Sequence, residues 1–129
     1  MITPLRTIAV DGAPKAIGPY AQGIVASGFL YTAGQIPLDP ATMNLVEGDI
    51  TVQTARVFDN LAAILKAAGC SFRDVVKATV FMADLGEFTK MNEVYAARFG
   101  DHRPARSTVQ VSKLPKGAVL EIELIARVP

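Results

Sequence analysis

The fold is decided by the stretch Val119-Leu120-Glu121-Ile122-Glu123-Leu124-Ile125-Ala126-Arg127-Val128. Successive side chains of a β-strand point to opposite faces of the sheet. One face of this strand is wholly apolar, which predicts that it packs against helices; it consists of Leu120, Ile122, Leu124, Ala126 and Val128. The other face mixes charges with apolar residues. Such a face is typical of a subunit interface that holds a polar cleft, so we expect an oligomer.

Apolar periodicity along the rest of the chain predicts the other elements. Strands are expected at 5–10, 21–26, 29–36, 73–82, 105–112 and 118–127. The second and third form a hairpin around Ser27-Gly28. A helix should start after Asp49 as its N-cap and stop at Gly69.

A second helix should follow a capping box formed by Asp84 and Glu87, and it should end at Gly100. The apolar residues that it would bury are Phe88, Met91, Tyr95 and Phe99. The order β-β-β-α-β-α-β-β predicts an α+β fold with both helices on one face of a single sheet. We expect one domain that spans residues 1–129.

Composition narrows the class of protein. The formal net charge of +1 over 129 residues argues against a dedicated nucleic-acid binder, which usually carries a basic stripe. Cys70 is the only cysteine, so no intramolecular disulfide can form, and a reducing, cytoplasmic location is expected. The stretch Met1–Arg6 lacks the pattern of a signal peptide, and no apolar run is long enough to span a membrane.

Two charged residues lie inside largely apolar strands and need a physical reason. Arg106 belongs to the stretch Arg103–Thr108, and Glu121 follows it after the turn Leu114–Gly117. An arginine fork binds a carboxylate through two parallel hydrogen bonds, and a partly desolvated glutamate suits a general base or a water-positioning group. An interface salt bridge from Arg106 to Glu121 or Glu123 is the alternative, because burying an unpaired charge costs several kcal/mol.

Three further positions suggest a site, each with a plainer alternative. Tyr20 follows Gly18-Pro19 and either offers a phenol to a cleft or covers the core edge. Gly34 either exposes a backbone N–H to an anion or marks close packing. Asn92, in the second helix, points into a cleft or into water. His102 is expected to be solvated and Cys70 buried, and the two give no recognisable metal set.

Eight sequence blocks, spread over nearly the whole chain, carry a resemblance to a known family. They are Ala16–Gln22, Ala33–Pro37, Leu65–Gly69, Val75–Val80, Met91–Tyr95, Pro104–Ser107, Leu114–Gly117 and Glu121–Ala126. In these blocks the chain resembles the Rid (YjgF-type, RidA subgroup) family of reactive intermediate deaminases, also described as endoribonuclease L-PSP-like.

The resemblance implies a chorismate-mutase-like α+β fold, with a single mixed sheet, assembled as a homotrimer with clefts between subunits. It implies hydrolysis of 2-imino and enamine acids, such as 2-iminobutanoate and 2-iminopropanoate, to 2-oxo acids and ammonia, without a cofactor. Pyridoxal-phosphate-dependent dehydratases would supply these substrates. A non-catalytic trimer that senses 2-oxo acids is the alternative. An endoribonuclease is less favoured by the charge balance, and neither nucleic acid nor membrane is an expected partner.

The resemblance also assigns roles by position. Arg106 matches the arginine that grips the substrate carboxylate, and Glu121 matches the glutamate that orients the attacking water. The positions that would contact substrate are Tyr20, Gly34, Phe88, Asn92 and Thr108. Many members have serine at Ala33 and cysteine at Thr108, so the range of substrates is open. We expect Arg106 and Glu121 to lie on adjacent strands and to meet in one pocket where protomers join.

Overall fold

The element order matches the expectation from the sequence. The computed structural model describes residues 4–129. Its strands are β1 Arg6–Ile8, β2 Gly23–Ala26, β3 Phe29–Thr32, β4 Val75–Met82, β5 Ala105–Gln110 and β6 Leu120–Arg127. Its helices are α1 Ile50–Ala67 and α2 Phe88–Phe99, and single 3₁₀ turns cover Phe72–Asp74, Leu85–Glu87 and Pro115–Gly117. The predicted order β-β-β-α-β-α-β-β is confirmed.

The six strands form one mixed sheet in the order β1-β2-β3-β6-β4-β5. Among the strands of residues 4–129, only β4 and β5 pair in parallel. The expectation that Arg106 and Glu121 lie on adjacent strands is wrong, because β4 separates β5 from β6. Parallel neighbours need a crossover connection, and α2 provides it between β4 and β5. The turn at Leu114–Gly117 therefore carries the chain past the end of β4 instead of closing a hairpin.

Both helices pack on the apolar face of the sheet, as predicted. The core contains Leu120, Ile122 and Leu124 of β6 and alternate residues of β4, together with buried residues of both helices. The Phe58 ring of α1 meets Tyr95 of α2 edge-on, with ring centroids 5.8 Å apart. Edge-on aromatic contacts of this kind fix the position of α2 against α1. The position of α2 in turn sets which of its side chains reach β5.

Local signals explain where α1 begins and ends. The Asp49 carboxylate accepts a hydrogen bond from the Val52 N–H at 3.1 Å, and Gly69, just past the end, has a φ of 82°. Both features were expected from the sequence. The capping box at Asp84 and Glu87 is not formed. The Asp84 carboxylate accepts from the Gly86 N–H at 2.8 Å and caps the 3₁₀ turn ahead of α2.

The other face of the sheet is not covered by either helix. It presents charged side chains such as Glu123 between apolar ones, and Tyr31 and Val109 are 46% and 42% exposed. The alternation read from β6 is therefore confirmed, and we call this surface the open face. Within residues 4–129, neither helix combines the length and the apolarity needed to cross a membrane.

Candidate functional site

Arg106 lies on the helix side of the edge strand β5. Its neighbour across the parallel pair is Ala78, which is fully buried under the helices. The guanidinium donates from Nη1 to the Asn92 Oδ1 at 2.7 Å and lies 4.6 Å from the centroid of the Tyr95 ring and 5.3 Å from that of Phe88. These three partners share one face of α2 because they are three or four residues apart. The helix thus holds the arginine in one orientation.

The guanidinium opens onto a cleft of about 370 Å³, which we call the arginine cleft. It is lined by Asn92, Tyr95, Ala96, Arg103, Pro104 and Arg106. This volume is at the lower end of the range for ligand pockets, and it suits a small organic acid. Among the expected site residues, Asn92 and Arg106 line the cleft directly. Phe88 lies against Arg106 instead of on the cleft wall.

Two buried hydroxyls beside Arg106 have no hydrogen-bond partner among the described residues. They are the Tyr95 hydroxyl and Thr108 Oγ1, which lies two residues beyond Arg106 on the same side of β5. Burial raises the pKa of Tyr95, and the Arg106 charge opposes this effect. Of the two, only Tyr95 lines the arginine cleft, so its hydroxyl can reach a ligand there, whereas Thr108, although expected at the site, does not line the cleft.

Glu121 lies on the open face of the sheet, next to Phe81 of β4. Its carboxylate borders a cleft of only about 70 Å³, which we call the glutamate cleft. The lining consists of Pro14, Lys15, Ile17, Tyr20, Gly34, Gln35, Ile36, Leu38, Pro115 and Glu121. This volume corresponds to about two water molecules, at roughly 30 Å³ each, and is small for an organic acid. Burial, and secondly the charge of Glu123, raises the pKa of Glu121.

Gly34 forms the floor beneath the Glu121 carboxylate. Gln35 pairs with Ile122, so the backbone just before it runs alongside β6. A Cβ built on Gly34 would lie 2.2 Å from the Glu121 Oε2, a distance that no real contact allows. Gly34 was expected either to expose a backbone N–H to an anion or to mark close packing. The structure shows close packing, and the group packed against Gly34 is the Glu121 carboxylate.

Two buried amides hold the loops of the glutamate cleft. Gln22 accepts from the Val10 N–H at 2.7 Å and donates to the Pro14 carbonyl at 2.8 Å, which fixes the loop that leads to Tyr20. Asn60 of α1 donates to the carbonyls of Ile36 and Leu38. Tyr20 itself is 50% exposed at the cleft edge. The loops are therefore positioned by core hydrogen bonds, although they lie at the surface.

Within one protomer, Arg106 and Glu121 do not meet. They lie on opposite faces of the sheet, with β4 between their strands, and they border separate clefts. Among residues 4–129, Arg106 also forms no ion pair with Glu121 or Glu123, since the salt bridges found there join Asp59 to Arg56 and Arg98. One protomer thus places the two groups in two separate clefts.

Three cleft residues with ionisable side chains were missed by reasoning from the sequence. Tyr95 was expected only in the core, although its spacing of three residues from Asn92 could have placed it beside the cleft. Lys15 and Arg103 line the glutamate and arginine clefts. Nothing in their local sequence marks them, because both stand in polar loops that are normally solvated.

The remaining expectations concern Cys70 and His102. Cys70 is buried, as expected, and burial raises the pKa of its thiol. The expectation that His102 is solvated is wrong. Its ring is half-buried, and Nε2 hydrogen-bonds to the Val75 carbonyl at 2.6 Å. The described part of the chain contains no group of three or more His, Cys, Asp or Glu residues that could hold a metal ion.

Comparison with known proteins identifies the family. The model of the family described as Endoribonuclease L-PSP matches residues 10–128. The chain belongs to this family. An L-PSP relative in Pyrococcus horikoshii, named a RutC family protein, is 56% identical over 121 residues, which cover 94% of this chain and 96% of the relative. A human relative, named 2-iminobutanoate/2-iminopropanoate deaminase, is 44% identical over 94% of this chain and 88% of its own length.

Solved structures of L-PSP and Rid proteins share the fold. A Rid family protein from Yersinia pestis superimposes with a TM-score of 0.95 at 47% identity and covers 97% of this chain and 100% of its own. RidA from an Antarctic Psychrobacter gives a TM-score of 0.92 at 46% identity, over 95% of this chain and 99% of its own. The resemblance read from the eight sequence blocks is therefore confirmed, as is the α+β class with two helices and one mixed sheet.

Proposed function

We propose that this protein hydrolyses 2-imino acids and their enamine tautomers, such as 2-iminobutanoate and 2-iminopropanoate, to 2-oxo acids and ammonia. The reaction would take place in sites shared between neighbouring copies of a homotrimer. Membership of the family and the names of the human and goat relatives, at 44% and 46% identity, support the reaction class. A functional link to dehydratases that release such imines remains a prediction.

The observation that carries the proposal is the division of the site into two unequal halves. The arginine cleft offers a carboxylate anchor and about 370 Å³, whereas the glutamate cleft offers a desolvated carboxylate and about 70 Å³. The first half suits a small carboxylic acid, and the second suits the water that attacks it. Imine hydrolysis needs both halves, which supports their union across an interface.

The fold offers a simple way to join the halves. The glutamate cleft lies toward the uncovered open face, whereas the arginine cleft lies at the edge formed by α2 and β5. A contact between two different surfaces of the same chain is heterologous, and such contacts build rings when the rotation closes. In a closed trimer, the open face of each copy would cover the α2–β5 edge of the next. Each interface would then contain one complete site.

In such a site, the residues have distinct chemical tasks. Arg106, held by Asn92, binds the substrate carboxylate and thereby fixes the imine carbon beside the water. Glu121 takes a proton from that water as it attacks the carbon of the protonated imine, which gives a neutral tetrahedral carbinolamine. Glu121 then returns this proton to the nitrogen. As the C–N bond breaks, the hydroxyl proton passes to Glu121, so that ammonia is released and the 2-oxo acid remains. General-base assistance of this kind contributes about 10²- to 10⁴-fold.

A coupled assay tests this function. A dehydratase generates 2-iminobutanoate, and the formation of 2-oxobutanoate is followed with and without the protein. We expect acceleration by the wild type and a loss of about 10²-fold or more in each of Arg106→Ala and Glu121→Gln. Arg73→Ala and Glu47→Gln, at exposed positions outside both clefts, serve as matched controls.

Unchanged rates in both cleft variants would reject the deaminase. Binding of 2-oxobutanoate that depends on Arg106, without any acceleration by the wild type, would instead favour a trimer that senses 2-oxo acids.

A further inference from the structure

The arginine cleft contains a second cation that the proposed reaction does not use. Arg103 lies on the same wall as Arg106, three residues earlier in the chain. Their Cα atoms can be no more than about 11 Å apart, because each residue spans at most about 3.3–3.6 Å. Two arginine side chains that start this close and border one cleft can hold the two ends of a short molecule.

The structure leaves most of the Arg103 donors free. Its Nη1 donates to the carbonyls of Gly100 and, at 3.0 Å, of His102. These bonds anchor the guanidinium at the end of α2. Among residues 4–129, no protein group accepts from its Nε or Nη2 and no carboxylate forms a salt bridge with it. An arginine carries five N–H donors, so a helix-end contact through Nη1 alone leaves three of them available.

The charge of the cleft is not balanced from within. None of its lining residues is acidic, so no carboxylate of the lining balances the charges of Arg103, which is exposed, and Arg106, which is half-buried. Tyr95 is 5% exposed, and burial raises the pKa of its hydroxyl. This hydroxyl lies close enough to both arginines for the charge of each to oppose that rise in pKa. In the proposed trimer, the Glu121 carboxylate of the next copy joins this site, but it is assigned to the attacking water. A substrate with one carboxylate therefore leaves Arg103 without an anionic partner.

We propose that the arginine cleft selects 2-imino acids that carry a second carboxylate at the far end of their side chain. Arg106 binds the carboxylate next to the imine carbon, and Arg103 binds the distal one. This inference rests on the proposed function for its chemistry, but the binding preference follows from the cleft alone. The preferred substrates would be dicarboxylic imines of four or five carbons, with 2-iminobutanoate as a poorer one.

The test measures a selectivity ratio. The values of kcat/KM for 2-iminoglutarate and for 2-iminobutanoate are determined for the wild type, Arg103→Gln and the exposed control Arg73→Gln. Loss of a charge-assisted hydrogen bond corresponds to about a 10- to 100-fold effect. We therefore expect the ratio of the dicarboxylic to the monocarboxylic substrate to fall at least about tenfold in Arg103→Gln and to stay at the wild-type value in Arg73→Gln.

Two further measurements separate substrate binding from a role in ending α2. Arg103→Lys keeps the charge and should retain a ratio above that of Arg103→Gln, which a purely structural role would not produce. Calorimetry should show that 2-oxoglutarate binds more tightly than 2-oxobutanoate and that the difference shrinks in Arg103→Gln.

The outcomes distinguish the two proposals. Hydrolysis of 2-iminobutanoate with a ratio that is independent of Arg103 overturns this inference and leaves the proposed function standing. If neither imine is hydrolysed, the proposed function fails, and the calorimetric difference then decides for or against the dicarboxylate cleft.

Discussion

Replacement of Gly34 by alanine tests how tightly the position of the Glu121 carboxylate is set. The added Cβ would lie 2.2 Å from Oε2, 2.6 Å from Cδ and 2.9 Å from Cγ of Glu121, whereas real Cβ contacts stay above 3.0 Å. The carboxylate must therefore move by at least about 0.8 Å, and a shift of about 1 Å in a reacting group can cost about 10²-fold in rate.

The same substitution should leave the fold almost unaffected. Gly34 has no positive φ, and the clashing atoms belong to a side chain whose end borders a cleft. An alanine at a compatible backbone position restricts the unfolded chain and contributes about 0.4–1 kcal/mol to stability, which offsets part of the strain. We expect kcat for 2-iminobutanoate to fall about 10²-fold, with a free energy of unfolding within about 1 kcal/mol of the wild type.

The assay pairs initial rates with urea unfolding of the same samples. Gly12→Ala is the matched control, because its Cβ would meet only the Cβ of Ala63 at 3.1 Å, outside both clefts. It should keep wild-type rates. Wild-type activity in Gly34→Ala would refute the argument that Glu121 acts from this position.

Three other perturbations follow from the structure. Burial raises the pKa of Glu121, so the ionised carboxylate destabilises the folded protein at neutral pH. Glu121→Gln should therefore have a higher melting temperature than the wild type at neutral pH. Calorimetry across pH should show this difference in melting temperature disappearing below the ordinary glutamate pKa of about 4.3. In the pH profile of kcat/KM for the wild type, activity is lost on the acid side when Glu121 is protonated. The apparent pKa of this loss should lie above the ordinary glutamate pKa, and an apparent pKa at or below that value would contradict the role of Glu121 as the base. Gln22→Ala leaves buried backbone groups such as the Val10 N–H without a hydrogen-bond partner. Urea unfolding should show a loss of about 3 kcal/mol in the free energy of unfolding, and a loss below about 1 kcal/mol would show that water replaces the amide.

Much of the fold could be predicted because local chemistry and burial agree. The alternation in β6 gave the helix face, and Asp49 and Gly69 gave both ends of α1. Pairing between strands could not be read in the same way, since a short turn at Leu114–Gly117 is compatible with a hairpin or with a passage over β4. The parallel partner of β5 is decided by how α2 packs, which is a tertiary effect.

The candidate site shows the same limit. Arg106 and Glu121 stand out in sequence because a charge inside an apolar strand is unusual. Alternation within each strand did not reveal that they lie on opposite faces, because β5 exposes small and polar residues on both sides. Arg103 and Lys15 carry no pattern at all, and only the three-dimensional clefts associate them with the site.

The most direct test of the shared site mixes two inactive subunits. Arg106→Ala and Glu121→Gln chains with different tags are co-expressed, and mixed oligomers are purified and verified by native mass spectrometry. If each site combines the arginine half of one copy with the glutamate half of the next, every mixed trimer contains one intact site among its three, and about one third of the wild-type activity should return. Mixed trimers that stay as inactive as their parents, or a protein that remains monomeric, would contradict the account.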